Sequence, residues 1–221
     1  MKKILLATLI STVSFYASAD FLYGGDVEVN AWQQDQNYTV NNDEKDGGSN
    51  TAVTFEASFE HFIPLIPNAK FAQSTVDGDY LKYTKRDYIL YYEFLDNDLI
   101  SLDAGVGVSQ FTEGEYRDST IQATTDFDGY LPVLYANAEL GIPGTPLFIF
   151  AKGNGVSYSG HSMMDYSVGA KYEIGLVLFD LQLQAGYRSQ TVDLDGSTLL
   201  SDLPTVNGTT DGFFAGVNLD F

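Results

Sequence analysis

The sequence predicts an all-β chain, a closed antiparallel transmembrane β-barrel of ten strands, with eight as the alternative count. Three observations predict it. Apolar and polar residues alternate with a period of two through segment after segment. The connections between those segments alternate short and long. No stretch of the expected mature chain is apolar for long enough to cross a bilayer as a helix, since the most apolar, 174–179, is only a few residues.

At the start of the chain, Lys2 and Lys3 precede an apolar run from Ile4 to Tyr16, and Ala17, Ser18 and Ala19 supply small residues before Asp20. This is the layout of a secretory signal peptide, 1–19, cleaved between Ala19 and Asp20. The barrel domain is then 20–221, large enough to enclose a substantial interior. Cys is absent, so an exported chain must be held by packing and backbone hydrogen bonds alone.

The ten alternating segments are 21–33, 51–61, 69–76, 87–95, 99–111, 128–140, 147–156, 164–173, 180–190 and 211–221. Most have about the ten residues a tilted strand needs to cross a bilayer. The third is the weakest, and without it and a neighbour the count falls to eight. One set of connections, 62–68, 96–98, 141–146 and 174–179, is brief and mostly rich in Pro, Gly and Asn. The other set, 34–50, 77–86, 112–127, 157–163 and 191–210, is mostly longer and polar, as expected of loops outside the cell. An even count puts both termini on the short-turn side.

The last segment alternates to its final residue. Phe213, Ala215, Val217, Leu219 and Phe221 share one face, and Phe214, Gly216, Asn218 and Asp220 the other. Soluble domains rarely end on a paired aromatic strand, because termini fray. Gly216, Leu219 and Phe221 resemble the C-terminal signal by which bacterial outer-membrane barrels are handed to their assembly machinery.

A soluble sandwich or lipocalin-like barrel also alternates, so the faces decide. One carries Asp26, Glu28, Glu56, Asp87, Glu93, Asp103, Glu139, Lys152, Lys171, Gln182, Gln184 and Arg188; the other carries Val29, Val53, Phe55, Tyr88, Leu90, Tyr92, Val106, Val168 and Leu183. Ten strands would enclose more volume than the apolar set fills, whereas turned outward that set makes a lipid-facing band with aromatic girdles. Without Lys2 and Lys3, 9 basic residues stand against 30 acidic ones, a formal net charge of −21. Nucleic acid and anionic ligands are poor partners for such a chain, while cations, or anionic lipids bridged by divalent ions, suit it.

Gly24-Gly25, Trp32, Pro64-Leu-Ile-Pro67-Asn68, Tyr91-Tyr92-Glu-Phe-Leu-Asp96-Asn97, Leu102-Asp103-Ala-Gly105 and Leu131-Pro132-Val-Leu-Tyr135-Ala136 extend the picture. Together they resemble a family of proteobacterial outer-membrane β-barrel proteins with a Gly-Gly pair near the mature N-terminus. The resemblance covers essentially the whole mature chain. It implies the fold and a location in the outer membrane of a Gram-negative bacterium, and no catalytic residue, because the family has no established activity.

Candidate chemistry is sparse. His61 reads as a solvated turn residue. His161 is flanked by Ser157, Ser159, Ser162 and Asp165 in a short loop, a grouping that could serve acyl transfer or hydrolysis at the outer rim. Ser and Asp are ordinary loop residues, so the expectation is a barrel without catalysis and without a cofactor. No Cys, no His pair at ligand spacing and no EF-hand loop is present, so no dedicated metal site is expected.

The lumen offers more. Inward carboxylates end the even-numbered strands at the periplasmic rim: Glu60, Glu93, Glu139, Glu173 and Asp220. Asp26, Glu28, Glu56, Asp87 and Asp103 line the first five strands, and Lys152, Lys171 and Arg188 the seventh to ninth. The expectation is a monomeric barrel with a wet interior, an acidic wall facing a smaller basic one. Its roles would be structural or a minor cation-favouring pore. A rim enzyme acting on lipid or peptide and a surface-binding barrel using 34–50 and 191–210 are the alternatives.

Overall fold

The computed structural model describes residues 23–40, 43–63, 65–97, 99–118, 123–158, 161–194 and 206–221. The expected signal peptide, with Ala19 and Asp20, lies outside them. The elements are β1 (Tyr23–Gly24), β2 (Asp26–Val40), β3 (Asp43–His61), β4 (Asn68–Asp77), β5 (Leu81–Asn97), β6 (Ile100–Asp118), β7 (Ala123–Gly141), β8 (Leu147–Tyr158), β9 (His161–Gly175), β10 (Asp180–Leu194) and β11 (Val206–Asp220). From β2 onward each strand pairs antiparallel with its successor, and β11 returns to pair with β2. Ten strands therefore close with no free edge along the ring, and the third of the ten, β4, is one of them.

β1 is the lower continuation of β2. Its pairs Tyr23↔His61 and Gly24↔Glu60 keep the register of Val27↔Ala57. Between them Gly25 exchanges both backbone bonds with Phe221, at 2.7 and 3.0 Å. A side chain at Gly25 would meet the Ser58 carbonyl oxygen at 2.5 Å, so the second glycine of the pair allows the seam to close tightly.

The strands run longer than the sequence reading expects. β3, β6 and β7 have 19 residues each, against the roughly 9–11 that cross the hydrocarbon. The surplus projects on the side of the long connections. Much of 34–50 and 112–127 is strand, not loop, and β4–β5 and β8–β9 take up most of 77–86 and 157–163. The reason is local: Gln34, Gln36 and Tyr38 still alternate inward, and their neighbours pair across β2–β3 and β2–β11. The short connections form the opposite, turn rim. There Asn97 Oδ1 accepts the amides of Leu99 and Ile100, both at 3.1 Å, which is the expected hairpin chemistry.

Two seams are short. β3 and β4 pair only over Phe55–Phe59 and Ala69–Gln73; above that, the Gln34 amide donates to the Thr75 carbonyl at 2.8 Å and the Asn50 amide to that of Asp77 at 2.6 Å. The β7–β8 ladder stops at Leu134, beside Pro132, which has no N–H to continue it.

Polarity is inverted relative to a soluble protein. Val53, Phe55, Leu90, Val106, Leu134, Ile149, Leu183 and Phe213 are exposed on the outer wall, and charged or amide side chains fill much of the interior. Tyr23 stacks on Phe59 near the turn rim, and Tyr187 meets Phe213 edge-on nearer the hairpins. Closed, antiparallel and apolar outside, the chain has the architecture of an outer-membrane β-barrel.

Candidate functional site in the lumen

Inward residues arrange themselves in three storeys. Toward the hairpin rim lies an apolar cluster from seven strands: Tyr38, Val76, Leu81, Tyr83, Phe111, Tyr116, Phe127, Leu131, Val133, Met163 and Val192. Each is buried. Gly47, Gly78 and Gly208 leave the space that the Tyr38 ring occupies. Burying aromatic and aliphatic side chains here removes water from the upper lumen.

The middle storey is charged and balanced. Lys152 bridges Glu28 and Glu56, at 2.7 and 2.8 Å, and Lys70 also pairs with Glu56. Lys85, with no exposed surface, sits between Asp87 and Asp165 at 2.7 Å from each. Arg188 grips both oxygens of Asp165, at 2.7 and 2.9 Å, and lies over the Trp32 ring. Asn154 and Ser109 donate to Asp87 as well. Lower down, Lys171 pairs with Glu139 at 2.6 Å. Five cations thus meet Glu28, Glu56, Asp87, Asp165 and Glu139, and charge-assisted bonds offset part of the desolvation these groups suffer. The cavity left among them is about 50 Å³, room for a few waters.

The lowest storey keeps its carboxylates with neutral partners. Asp26 accepts from Ser58 and Asn218, Glu60 from the Tyr91 hydroxyl at 2.7 Å, Asp103 from Asn137, and Glu173 from Gln182. Glu93 is exposed. Asp220 stands opposite both Asp26 and Asp180 in the ladders.

The five carboxylates expected in one ring do not share one paired row. The paired row that starts at Glu173 passes through Gln182, Asn218, Glu28, Glu56 and Ala72 to Asp87. Strand stagger therefore sets a rim residue of β9 in the same row as a mid-barrel residue of β5. Glu139 also differs from the other four in having an ion-pair partner among the described residues. Nor do an acidic and a basic wall face each other across open water. Lys70 and Lys85 stand on the wall read as acidic and neutralise it, with Lys152 reaching across to Glu28 and Glu56, and Lys85 reaching the other way to Asp165, which Arg188 holds from the next strand.

Sequence reasoning missed Lys70, Lys85 and Asp165. Lys85 fell in a segment read as loop, although Leu81, Tyr83, Lys85, Asp87 and Ile89 continue one alternating face. The sequence places Asp165 beside His161. It faces the lumen instead, buried against Lys85 and Arg188, so it is not free to orient a histidine. His161 opens β9 opposite Tyr158. His61 closes β3, its ring against Phe59 and its amide donating to Asn68. Of the C-terminal trio, Gly216 leaves room for the Asn30 side chain, Leu219 pairs with Leu181 and Val27, and Phe221 bonds Gly25.

No family model and no curated protein matches the chain. Similar solved structures include Ail, the attachment invasion locus protein of Yersinia pestis, at 12% identity, covering 89% of this chain and 99% of that one with a TM-score of 0.37. The outer membrane protease OmpT of Escherichia coli is 8% identical over 95% of this chain and 100% of its own, with a TM-score of 0.39. The translocator domain of the autotransporter NalP from Neisseria meningitidis is 12% identical over 100% and 95%, with a TM-score of 0.42. At such values none of these lends an activity or a ligand to this chain.

Proposed function

We propose that the chain is a monomeric structural barrel of the Gram-negative outer membrane whose lumen is closed, and that it works without catalysis or cofactor. The observation that carries this reading is the paired middle storey, in which Lys70, Lys85, Lys152, Lys171 and Arg188 are each held by a carboxylate beneath an apolar cap. Ions crossing such a lumen would have to break several buried pairs and then enter an apolar layer, and both steps are costly. Outer-membrane lipids surround the outer wall, and the barrel assembly machinery is the partner that inserts it.

Conductance in planar bilayers tests the reading. Refolded protein is expected to add no discrete current steps. Steady cation-selective steps from the unaltered protein would overturn it in favour of a minor cation-favouring pore, a reading supported by the lower carboxylates Asp26, Glu60, Asp103 and Glu173, whose hydrogen-bond donors are neutral.

A further inference from the structure

The turn rim carries an unexpected surface. Turns on this side project toward water, yet two of the four are apolar at their tips. In the β3–β4 turn, Leu65 is 91% exposed and Ile66 is exposed beside it. In the β9–β10 turn, Val177 is 94% exposed and Leu178 follows. Neither turn contains a charged residue, in a chain with 30 acidic ones. The β5–β6 turn instead is flanked by Asp96 and Asn97 and exposes Leu99 at its tip, and the β7–β8 turn places Gly144-Thr145 at its tip beside an exposed Ile142, both apolar residues less than half as exposed as Leu65 and Val177.

Leu65 is held in place, not left over. Its backbone has φ +70, a conformation unfavourable for a leucine. The Tyr92 hydroxyl, on the outer wall, donates to the Leu65 carbonyl at 2.9 Å. The turn is therefore folded outward against the lipid-facing side and does not lie beneath the lumen. Both apolar turns flank the closing seam, with Tyr23, Phe59 and Phe221 exposed between them. The surface is continuous with the lipid-facing band.

We propose that these two turns are sunk in the inner leaflet of the outer membrane, anchoring the barrel from below on the side of its closing seam. The occupant is phospholipid: the patch continues a surface that lipid already covers, and it lacks the charges that would keep it in water. The other two turns, one flanked by Asp96 and Asn97 and one tipped by Thr145, stay at the aqueous boundary, so the barrel sits deeper on one side than on the other. This rests on the reading of the chain as a membrane barrel.

The chain has no cysteine, so single-cysteine variants report position directly. Leu65→Cys, Val177→Cys, Asn97→Cys, Thr145→Cys and, on the lipid-facing wall, Leu134→Cys are labelled with bimane and refolded into phosphatidylcholine vesicles with or without brominated acyl chains. Only protein that shifts mobility on heating is read. Quenching and blue-shifted emission are expected at 65, 177 and 134, with little of either at 97 and 145. Strong quenching at 134 with none at 65 and 177 overturns this proposal alone, and leaves the two tips as a docking surface for a periplasmic protein. Absence of quenching at 134 overturns the membrane reading itself. Equal quenching at all four turn sites overturns the one-sided anchor.

Discussion

The upper and lower halves of this lumen are built on the same ten strands and the same alternation, yet they are opposite in character. Toward the hairpins, inward positions hold Tyr38, Tyr83, Phe111 and Leu131, packed and dry. Toward the turns they hold Asp26, Glu60, Asp103 and Glu173, held by hydroxyls and amides. The difference teaches that period two fixes only which residues face inward. What the interior becomes depends on height along the strand, and a barrel can be sealed at one end while remaining polar at the other. Between the halves, the ion-paired storey balances five cations against five carboxylates, and the balance matters most around Lys85, Asp87 and Asp165, which are almost wholly out of water.

The sharpest way to break that arrangement is Lys85→Ala. It leaves Asp87 and Asp165 facing each other, buried, with only Arg188, Asn154 and Ser109 to hold them. Breaking a buried pair in this way costs about 3–5 kcal/mol. Urea unfolding of the refolded protein in lipid vesicles should show it as a large drop in midpoint. Lys85→Met, which keeps the length of the side chain, should lose nearly as much; if it were neutral, the two carboxylates would not be carrying charge against Lys85.

Leu131→Ala tests the upper half. Leu131 packs among aromatic and aliphatic side chains from several strands, and truncation should cost about 2–5 kcal/mol through lost burial and the remaining cavity. The same vesicle unfolding measures it. Leu131 stands opposite Ser109, which donates to Asp87, so combining the change with Lys85→Ala measures the coupling between the two storeys, with losses that add only if cap and charged layer respond independently. Strong non-additivity would mean that the cap and the charged layer collapse together.

Deleting Phe221 touches the lower end of the seam. It removes the two bonds to Gly25, each worth about 0.5–1.5 kcal/mol in net terms, at a terminus whose side chain is half exposed. Refolded protein should lose little stability. The folded amount in cells should fall further than that, because the C-terminal residues resemble an assembly signal. Equal losses in both settings would reduce Phe221 to a strand end.

The legible part of this molecule was the outer wall. Ten strands, their sidedness and the turn rim could all be read because lipid imposes one rule on every outward position, so Val53, Leu90, Val106 and Leu183 announce themselves in sequence. The interior obeys no single rule. Lys70 and Lys85 could be seen as charged, but their pairing partners stand on β3, β5 and β9, and closure of the ring, together with strand stagger, decides who meets whom. The upper cluster was hidden for a different reason. Val76, Phe111, Leu131 and Val133 lie within expected strands, but Tyr38, Leu81, Tyr83, Tyr116, Phe127, Met163 and Val192 are interspersed with polar residues in segments that look like loops, and only the persistence of alternation marks those as strand. Leu65 and Val177 were in plain view, yet a short turn gives no sign of which way its side chains are displayed.

Within the lower half itself, Glu139 and Glu93 make the finest comparison. Both were expected in one ring of carboxylates at the rim. Glu139 is half-buried and paired with Lys171, whose chain also crosses the face of Phe150. Glu93 is exposed where the β5–β6 ladder is interrupted by a bulge. Glu139→Gln leaves Lys171 without its carboxylate, in a place only partly open to water, and should cost about 1 kcal/mol; the figure is modest because the pair is not fully desolvated. Glu93→Gln should move the unfolding midpoint little, and upward if at all, since the carboxylate is exposed and its acidic neighbour is Glu60. Lys171→Met in the Glu139→Gln background should restore part of the loss, because it removes the stranded cation. Identical behaviour of the two glutamates, or no recovery from the second substitution, would return both to a single solvated ring and remove the distinction between the paired storey and the rim below it.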